Sequence, residues 1–313
     1  MTPQNETRIL PYDRAAIAEA ARLIGEGQPV AMPTETVYGL AADATNGEAV
    51  ARIYEAKGRP SFNPLIVHIG SLEAAERIAR FDDRTRALAE RFWPGPLTLV
   101  LPLRDDSRIA SLVTAGLGTV ALRVPAHPAM RDLLEATGKP LAAPSANVSG
   151  RLSATRAEHV LAGLGGRIPL IVDAGPTELG LESTIVAMKG GGALLLRPGP
   201  ITDLGIALAE NDSAAIEAPG QLASHYAPAK PIRLDAADRR AGEWLIGFGP
   251  VEGDSSLSPS GDLTEAAAAL FDRLHEADAS PAEAIAVAPV PCHGLGAAIA
   301  DRLRRAAAPR PRI

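Results

Sequence analysis

Two threonines, a glutamate and a tyrosine stand together in Pro33-Thr34-Glu35-Thr36-Val37-Tyr38-Gly39-Leu40, directly after the apolar run Val30-Ala31-Met32. The run reads as a strand, and the next helix signal begins near Gly47. The hydroxyls therefore sit on a loop at a strand end, where open α/β sheets place their ligand crevices. The loop holds no His, Cys or Lys, so it suits the wall of a small polar ligand's site better than a nucleophile or a metal. Thr34 and Thr36 could equally cap the following turn.

Two arginines carry a similar ambiguity. Arg123 lies inside Val120-Ala121-Leu122-Arg123-Val124, and Arg197 ends Leu194-Leu195-Leu196. An arginine among aliphatic residues needs a partner. Either each makes an ion pair across the sheet, or both face a cleft and hold an anion, for which the guanidinium fork suits carboxylate and phosphate. Lys57 and Arg59 add a basic pair at a helix end, where a solvated face complementing the helix dipole is the simpler reading. Ser145 and Asn147 lie on a strand-to-helix loop able to offer a hydroxyl and backbone N–H groups to phosphate. Ser145 has no neighbouring His and no Gly-x-Ser-x-Gly context, so it is not a hydrolase nucleophile. His68, in the apolar run at 65–69, reads as a core histidine. Neither a Walker A pattern nor a Gly-x-Gly-x-x-Gly fingerprint occurs. Hydroxyls with two to four cations suit an anionic ligand beside a small polar one, and choose no reaction.

The elements that must position these groups alternate along the chain. Asp13 caps a helix reaching about Gly25, residues 48–56 are helical up to Gly58 and Pro60, and Ser71 caps another helix. A further helix spans 82–92, and Trp93-Pro94-Gly95-Pro96 makes a rigid turn into a strand at 97–101. Strands at 119–124 and 141–143 flank a helix at 129–136, and Thr155 with Glu158 has capping-box spacing for the next helix. Apolar strands follow at 170–173, 183–188 and 193–196, the last two close enough for an antiparallel hairpin, so the sheet is mixed. The pattern fades from 209 to 224. A smaller unit then shows strands at 232–234, 244–248 and 284–288 and helices at 262–276 and 295–307.

The 313 residues suggest two domains, and 46% hydrophobic with 22% charged residues describes an ordinary globular protein. A net charge of −6 argues against a protein whose main work is holding a nucleic-acid backbone. The single cysteine, Cys292, excludes an internal disulfide and a cysteine-rich metal site. No signal-type h-region and no run approaching ~20 apolar residues occurs, so the expected location is the cytoplasm.

Taken together, the motifs closely resemble the threonylcarbamoyl-AMP synthase family, the two-domain YrdC-like enzymes of tRNA modification. The matching stretches are Pro33 to Leu40, Lys57-Gly58-Arg59-Pro60 with Asn63-Pro64-Leu65-Ile66-Val67-His68, and Trp93-Pro94-Gly95-Pro96-Leu97-Thr98. They continue through Val120-Ala121-Leu122-Arg123-Val124-Pro125, Ala143-Pro144-Ser145-Ala146-Asn147, Glu182-Ser183-Thr184-Ile185-Val186 and Leu196-Arg197-Pro198-Gly199. The resemblance covers nearly all of residues 8–205. His225-Tyr226-Ala227-Pro228 is similar to the linker of the longer members. The second domain matches least well; its end, from His293 to Leu303, is similar, with Asp301 where the family pattern leads one to expect Asn.

The resemblance implies a fold: a YrdC-like twisted mixed sheet with flanking helices over 8–208, a linker or lid over 209–230, and a smaller Rossmann-like α/β domain over 231–313. It implies a reaction in which L-threonine, bicarbonate and ATP give threonylcarbamoyl-adenylate and pyrophosphate, by a nucleotidyl transfer that feeds a separate tRNA threonylcarbamoyl transferase. Thr34, Thr36, His68, Arg123 and Ser183 would form the threonine pocket. Lys57, Arg59, Asn63, Thr119, Ala143, Ser145, Asn147, Ser153 and Arg197 would hold ATP, with Tyr226 reaching over as part of a lid. Magnesium would come with the ATP phosphates and take no protein side chain. The same fold used only to bind RNA, or a carbamoyl transferase taking carbamoyl phosphate, are the rival readings; the charge disfavours the first, and the second lacks a donor domain.

Overall fold

The computed structural model describes residues 6–59, 63–189, 192–209 and 225–309. The first part of the chain contains β1 (Arg8–Pro11), α1 (Arg14–Gly25), β2 (Val30–Met32), β3 (Gly39–Asp43), α2 (Gly47–Lys57), β4 (Ile66–His68), α3 (Leu72–Glu76) and α4 (Asp83–Phe92). It continues through β5 (Leu97–Pro102), α5 (Ser111–Thr114), β6 (Thr119–Arg123), α6 (Pro128–Thr137), β7 (Leu141–Ala142), α7 (Ala157–Leu164), β8 (Leu170–Asp173), β9 (Thr184–Lys189), β10 (Gly192–Arg197) and β11 (Leu208–Ala209). Among the described residues these strands form one mixed eleven-stranded sheet in the order β1-β8-β2-β3-β7-β4-β6-β5-β9-β10-β11.

The helices start where the sequence marks them. Asp13, Asn46, Ser71 and Asp82 each accept a backbone N–H of the first turn, satisfying donors the helix cannot. Gly58 ends α2 in the left-handed region, at φ 57°. Two apolar layers cover the sheet. On one face α2, α4 and α7 bury Val50, Ile53, Leu88 and Val160 against Leu40, Val67, Leu99 and Leu122. On the other, α1 and α6 bury Ile17, Leu23, Met130 and Leu133 against Val30, Met32, Leu141 and Leu170.

Several expectations change. The Thr34–Thr36 loop joins β2 to β3, which pair antiparallel, and does not lead straight into a helix. The missed strand reads Gly-Leu-Ala-Ala-Asp, poor in the β-branched residues that announce strands. The short elements β1, β11 and α5 likewise carry no pattern in the sequence. The capping box at Thr155 and Glu158 does not form: α7 starts after Arg156 with no side-chain cap, and Thr155 Oγ1 instead lies 3.4 Å from His159 Nδ1. Most of the expected linker, residues 210–224, lies outside the described residues.

The second part carries β12 (Ile232–Arg233), β13 (Glu243–Gly247), β14 (Ser255–Ser256), α8 (Leu263–Ala279), β15 (Ala284–Val287) and α9 (Leu295–Ala307). Its sheet is parallel, in the order β12-β15-β13-β14. Both helices pack on one face, where Leu270, Phe271, Leu274, Ile299 and Leu303 meet Ile246, Ile285 and Val287. That core does not stop at the domain edge: Val37, Leu152 and Leu181 of the first part belong to it, as does Tyr226.

Candidate active site

The register of the sheet builds the site. β4 and β6 run parallel with Ile66 opposite Ala121 and His68 opposite Arg123. Side chains alternate along a strand, so all four share one face. Ile66 and Ala121 join Val100, Ile185, Ala187, Leu194 and Leu196 in a cluster drawn wholly from strands. Two residues before Val100 and Ile185 the same face carries Thr98 and Ser183, whose hydroxyls meet at 2.7 Å. A polar end thus extends an apolar floor, and the β2–β3 loop closes over it.

Arg123 is the centre of one half. Its Nη1 donates to Thr36 Oγ1 at 2.9 Å, its Nε to the Gly95 carbonyl at 3.2 Å, and its Nη2 stands 2.5 Å from Glu35 Oε1. Burial works against the Glu35 charge, but Arg123 outweighs it and holds the carboxyl below its usual range. Thr34 Oγ1 lies 2.9 Å from Thr36 Oγ1 and donates to the Val37 carbonyl, so the two threonines fix the loop as well as facing the cavity. The Trp93–Pro96 turn is tied to this centre through Gly95, where a Cβ would stand 2.4 Å from the Phe92 carbonyl oxygen. His68 is buried with neither ring nitrogen hydrogen-bonded among the described residues. Burial, then the Arg123 charge, lowers its pKa to about 3, leaving a neutral ring with one donor and one acceptor free.

The other half is cationic. Arg197 donates from Nε to the Ser183 carbonyl and from Nη2 to Ser183 Oγ, both at 3.0 Å. Arg59 donates to the carbonyls of Asn63 and Pro64, and burial lowers its pKa to about 10. The second Pro-Gly-Pro turn belongs here too: a Cβ on Gly199 would stand 2.4 Å from the Thr184 nitrogen, so only glycine lets the turn press against 182–184. Lys57 does not reach the cavity. Its ammonium donates to the carbonyls of Ser145 and Asn147, both contacts at most 2.6 Å, and burial drives its pKa well below the usual lysine value. It holds the 145–147 loop that presents Ser145.

The cavity encloses about 40 Å³. Of the site residues that the resemblance implies, Thr34, Thr36, Arg59, His68, Arg123, Ala143, Ser145, Ser183, Arg197 and Tyr226 line it. Lys57, Asn63, Asn147 and Ser153 stand behind the lining: Asn63 through its carbonyl on Arg59, Asn147 on Lys57, and Ser153 on Glu182. Thr119 begins β6 and Arg123 ends it, some ~13 Å apart along an extended strand. Glu182 and His225 also line the cavity and were not anticipated. Glu182 was legible only as a carboxylate flanked by buried positions; Ser153 Oγ donates to it on one side and Arg302 on the other. Arg302, fully buried on α9, occupies the apolar stripe of Ile299, Leu303 and Ala306, and a cation on that stripe was the available signal.

No group of three or more His, Cys, Asp or Glu among the described residues could hold a metal. The one cavity-lining carboxylate, Glu182, is taken by Arg302.

The comparisons with known proteins agree over both parts. A family profile described as telomere recombination (Sua5, YciO, YrdC) matches residues 22–199, and one described as the threonylcarbamoyl-AMP synthase C-terminal domain matches 198–308. Threonylcarbamoyl-AMP synthase of Bacillus subtilis is 41% identical over 94% of this chain and 93% of its own length. That of Pyrococcus abyssi is 39% identical over 92% of each. The crystal structure of P. abyssi Sua5 complexed with L-threonine matches 96% of this chain and 98% of its own at a TM-score of 0.88 and 37% identity. Similarity of this extent takes in the loop, the sheet face and the second domain alike, and the chain belongs to the threonylcarbamoyl-AMP synthase family.

Proposed function

We propose that the protein is an L-threonylcarbamoyladenylate synthase: L-threonine, bicarbonate and ATP give threonylcarbamoyl-AMP, pyrophosphate and water. The observation that carries this is one cavity lined by two groups of cations. Arg123, held by Thr36 and Glu35, stands opposite the buried His68, whose ring nitrogens have no partner among the described residues; Arg59 and Arg197, close enough for their charges to interact, line the same cavity. Arg123 takes the threonine carboxylate, and His68 and Ser183 meet its remaining polar groups. Arg59, Arg197 and Ser145 take the ATP phosphates, with Lys57, Asn63, Asn147 and Ser153 setting those groups from behind.

The chemistry needs positioning and charge neutralisation more than a nucleophile. The threonine amine attacks bicarbonate and water leaves, giving a carbamate. A carbamate oxygen then attacks the α-phosphorus and pyrophosphate departs. Magnesium enters on the ATP phosphates as part of the substrate, where it neutralises the leaving group. The labile product passes to a separate tRNA threonylcarbamoyl transferase. No helix among the described residues is long and apolar enough to cross a membrane, in keeping with work in the cytoplasm.

ATP cannot enter the cavity as it stands. Ligand sites for molecules of this kind run to about 300–1,000 Å³, and Tyr226 and His225 are among the residues that line this one. Both are buried, and His225 Nδ1 has no hydrogen-bond partner among the described residues. The 225–226 segment therefore leaves to admit ATP and returns over it as a lid.

The test is pyrophosphate release with each substrate omitted in turn. Release that requires both threonine and bicarbonate is expected. ATP cleavage indifferent to threonine, from folded protein, would reduce the family membership to a shared fold.

A further inference from the structure

Arg302 joins the second domain to a residue that lines the cavity, Glu182. It lies on α9 with a side chain that is 0% exposed. Its Nε donates to Glu182 Oε2 at 2.8 Å and its Nη1 to Asp301 Oδ2 at 2.8 Å, and its guanidinium carbon sits 5.2 Å from the Tyr226 ring centroid. Burial opposes its charge, but Tyr226, Glu182 and Asp301 outweigh burial and keep it cationic. Glu182 lies between this cation and a second one. Burial opposes the Glu182 charge too; Arg302 first and Arg197 next overcome it. Among the described residues only Arg302 of the two bonds the carboxylate, while Arg197 bonds Ser183 and faces Tyr226.

We infer that Arg302 is a positioning residue for the nucleotide half of the site: by claiming the Glu182 carboxylate it leaves Arg197 free for phosphate. A buried carboxylate that loses its cation seeks another. Without Arg302 the neighbour able to answer Glu182 is Arg197, and an Arg197 paired with Glu182 presents a neutral pair to an anion. The threonine half would be spared, since Arg123 has its own carboxylate in Glu35. Loss of the Tyr226 contact acts in the opposite direction, easing ATP entry, so the sign of the change reports the carboxylate. This inference rests on the reading of Arg197 as a phosphate ligand.

The experiment measures binding of ATP with magnesium, and of L-threonine, by calorimetry on the full chain and on R197A, R302Q, E182Q and R302Q/E182Q. R302Q is expected to weaken ATP about tenfold or more, the order of one lost hydrogen bond to a charged group, with the threonine Kd changed less than about twofold. E182Q is expected to bind ATP more tightly than the parent, and the double variant to recover most of the loss in R302Q, a coupling that mere misfolding would not produce. An R302Q Kd for ATP equal to the parent's overturns the inference, as does a double variant no better than R302Q. Should R302Q not fold, E182Q decides: weaker ATP binding there would make Glu182 a nucleotide ligand and end the inference. R197A separates the two levels. Unchanged ATP binding in R197A removes the phosphate reading itself, whereas a loss in R197A without one in R302Q removes only the role of Arg302.

Discussion

Glu35 and Arg123 face each other at 2.5 Å, the one on the β2–β3 loop and the other at the end of β6, and they are 5% and 3% exposed. The pair ties Arg123 to the fold, and the proposed function asks the same side chain to take the threonine carboxylate. Arg123→Ala should raise the KM for threonine far more than that for ATP, and equal effects would remove the assignment. It should also strand a buried carboxylate, lowering stability by about 3–5 kcal/mol. Adding Glu35→Gln should return part of that stability in a denaturant titration without restoring threonine use.

The pH dependence of folding follows from His68. Its pKa is about 3 in the folded chain against about 6.5 unfolded. Between those values the unfolded chain binds a proton that the folded one does not, so stability falls as the pH is lowered from about 6.5 towards 3. The full contribution is present above 6.5. Glu35 and Glu182, held below the usual carboxylate range, lose their contributions in the same direction at the acid end. His68→Gln should therefore flatten the slope by up to about 1.4 kcal/mol per pH unit between pH 4 and 6. Parallel curves for parent and variant would mean that His68 is protonated in the fold.

Lys57 gives a different signature. Its ammonium holds the Ser145 and Asn147 carbonyls from inside. Lys57→Met keeps the length of the side chain and removes the donors, leaving two buried acceptors at about 1–3 kcal/mol each. ATP use should fall because Ser145 loses its setting, and threonine binding should hold. A variant that binds ATP normally at reduced stability would confine Lys57 to the fold.

How much of this could be read in advance differs by residue. Helix starts at Asp13, Ser71 and Asp82 were legible because a cap is a local device. So were β4, β6 and the β9–β10 hairpin, whose aliphatic runs need no partner to be recognised. Strand β3 was not, since Gly39-Leu40-Ala41-Ala42-Asp43 is extended only because β2 and β7 flank it. The ion pair of Arg123 could not be read from sequence, because its partner Glu35 lies 88 positions away in the chain. Arg302 and Glu182 are 120 residues apart, and no local pattern joins a second-domain helix to a first-domain cavity. Those are facts of tertiary packing.

Tyr226 supplies the last prediction. Its ring is buried between the Arg302 guanidinium, 5.2 Å away, and Phe271, 5.7 Å away, and its hydroxyl interacts with Arg197. Tyr226→Phe removes that hydroxyl and keeps the ring, so it should leave the cover over the site in place. Tyr226→Ala should ease ATP entry and harm the product. With no ring to return over the adenylate, water reaches it. Pyrophosphate released per threonylcarbamoyl-AMP recovered should stay near one in the parent and rise well above one in Tyr226→Ala. A ratio unchanged in both variants would mean that the segment at 225–226 is a tether packed in an otherwise independent site, and the water-excluding role would pass to the domain interface behind it.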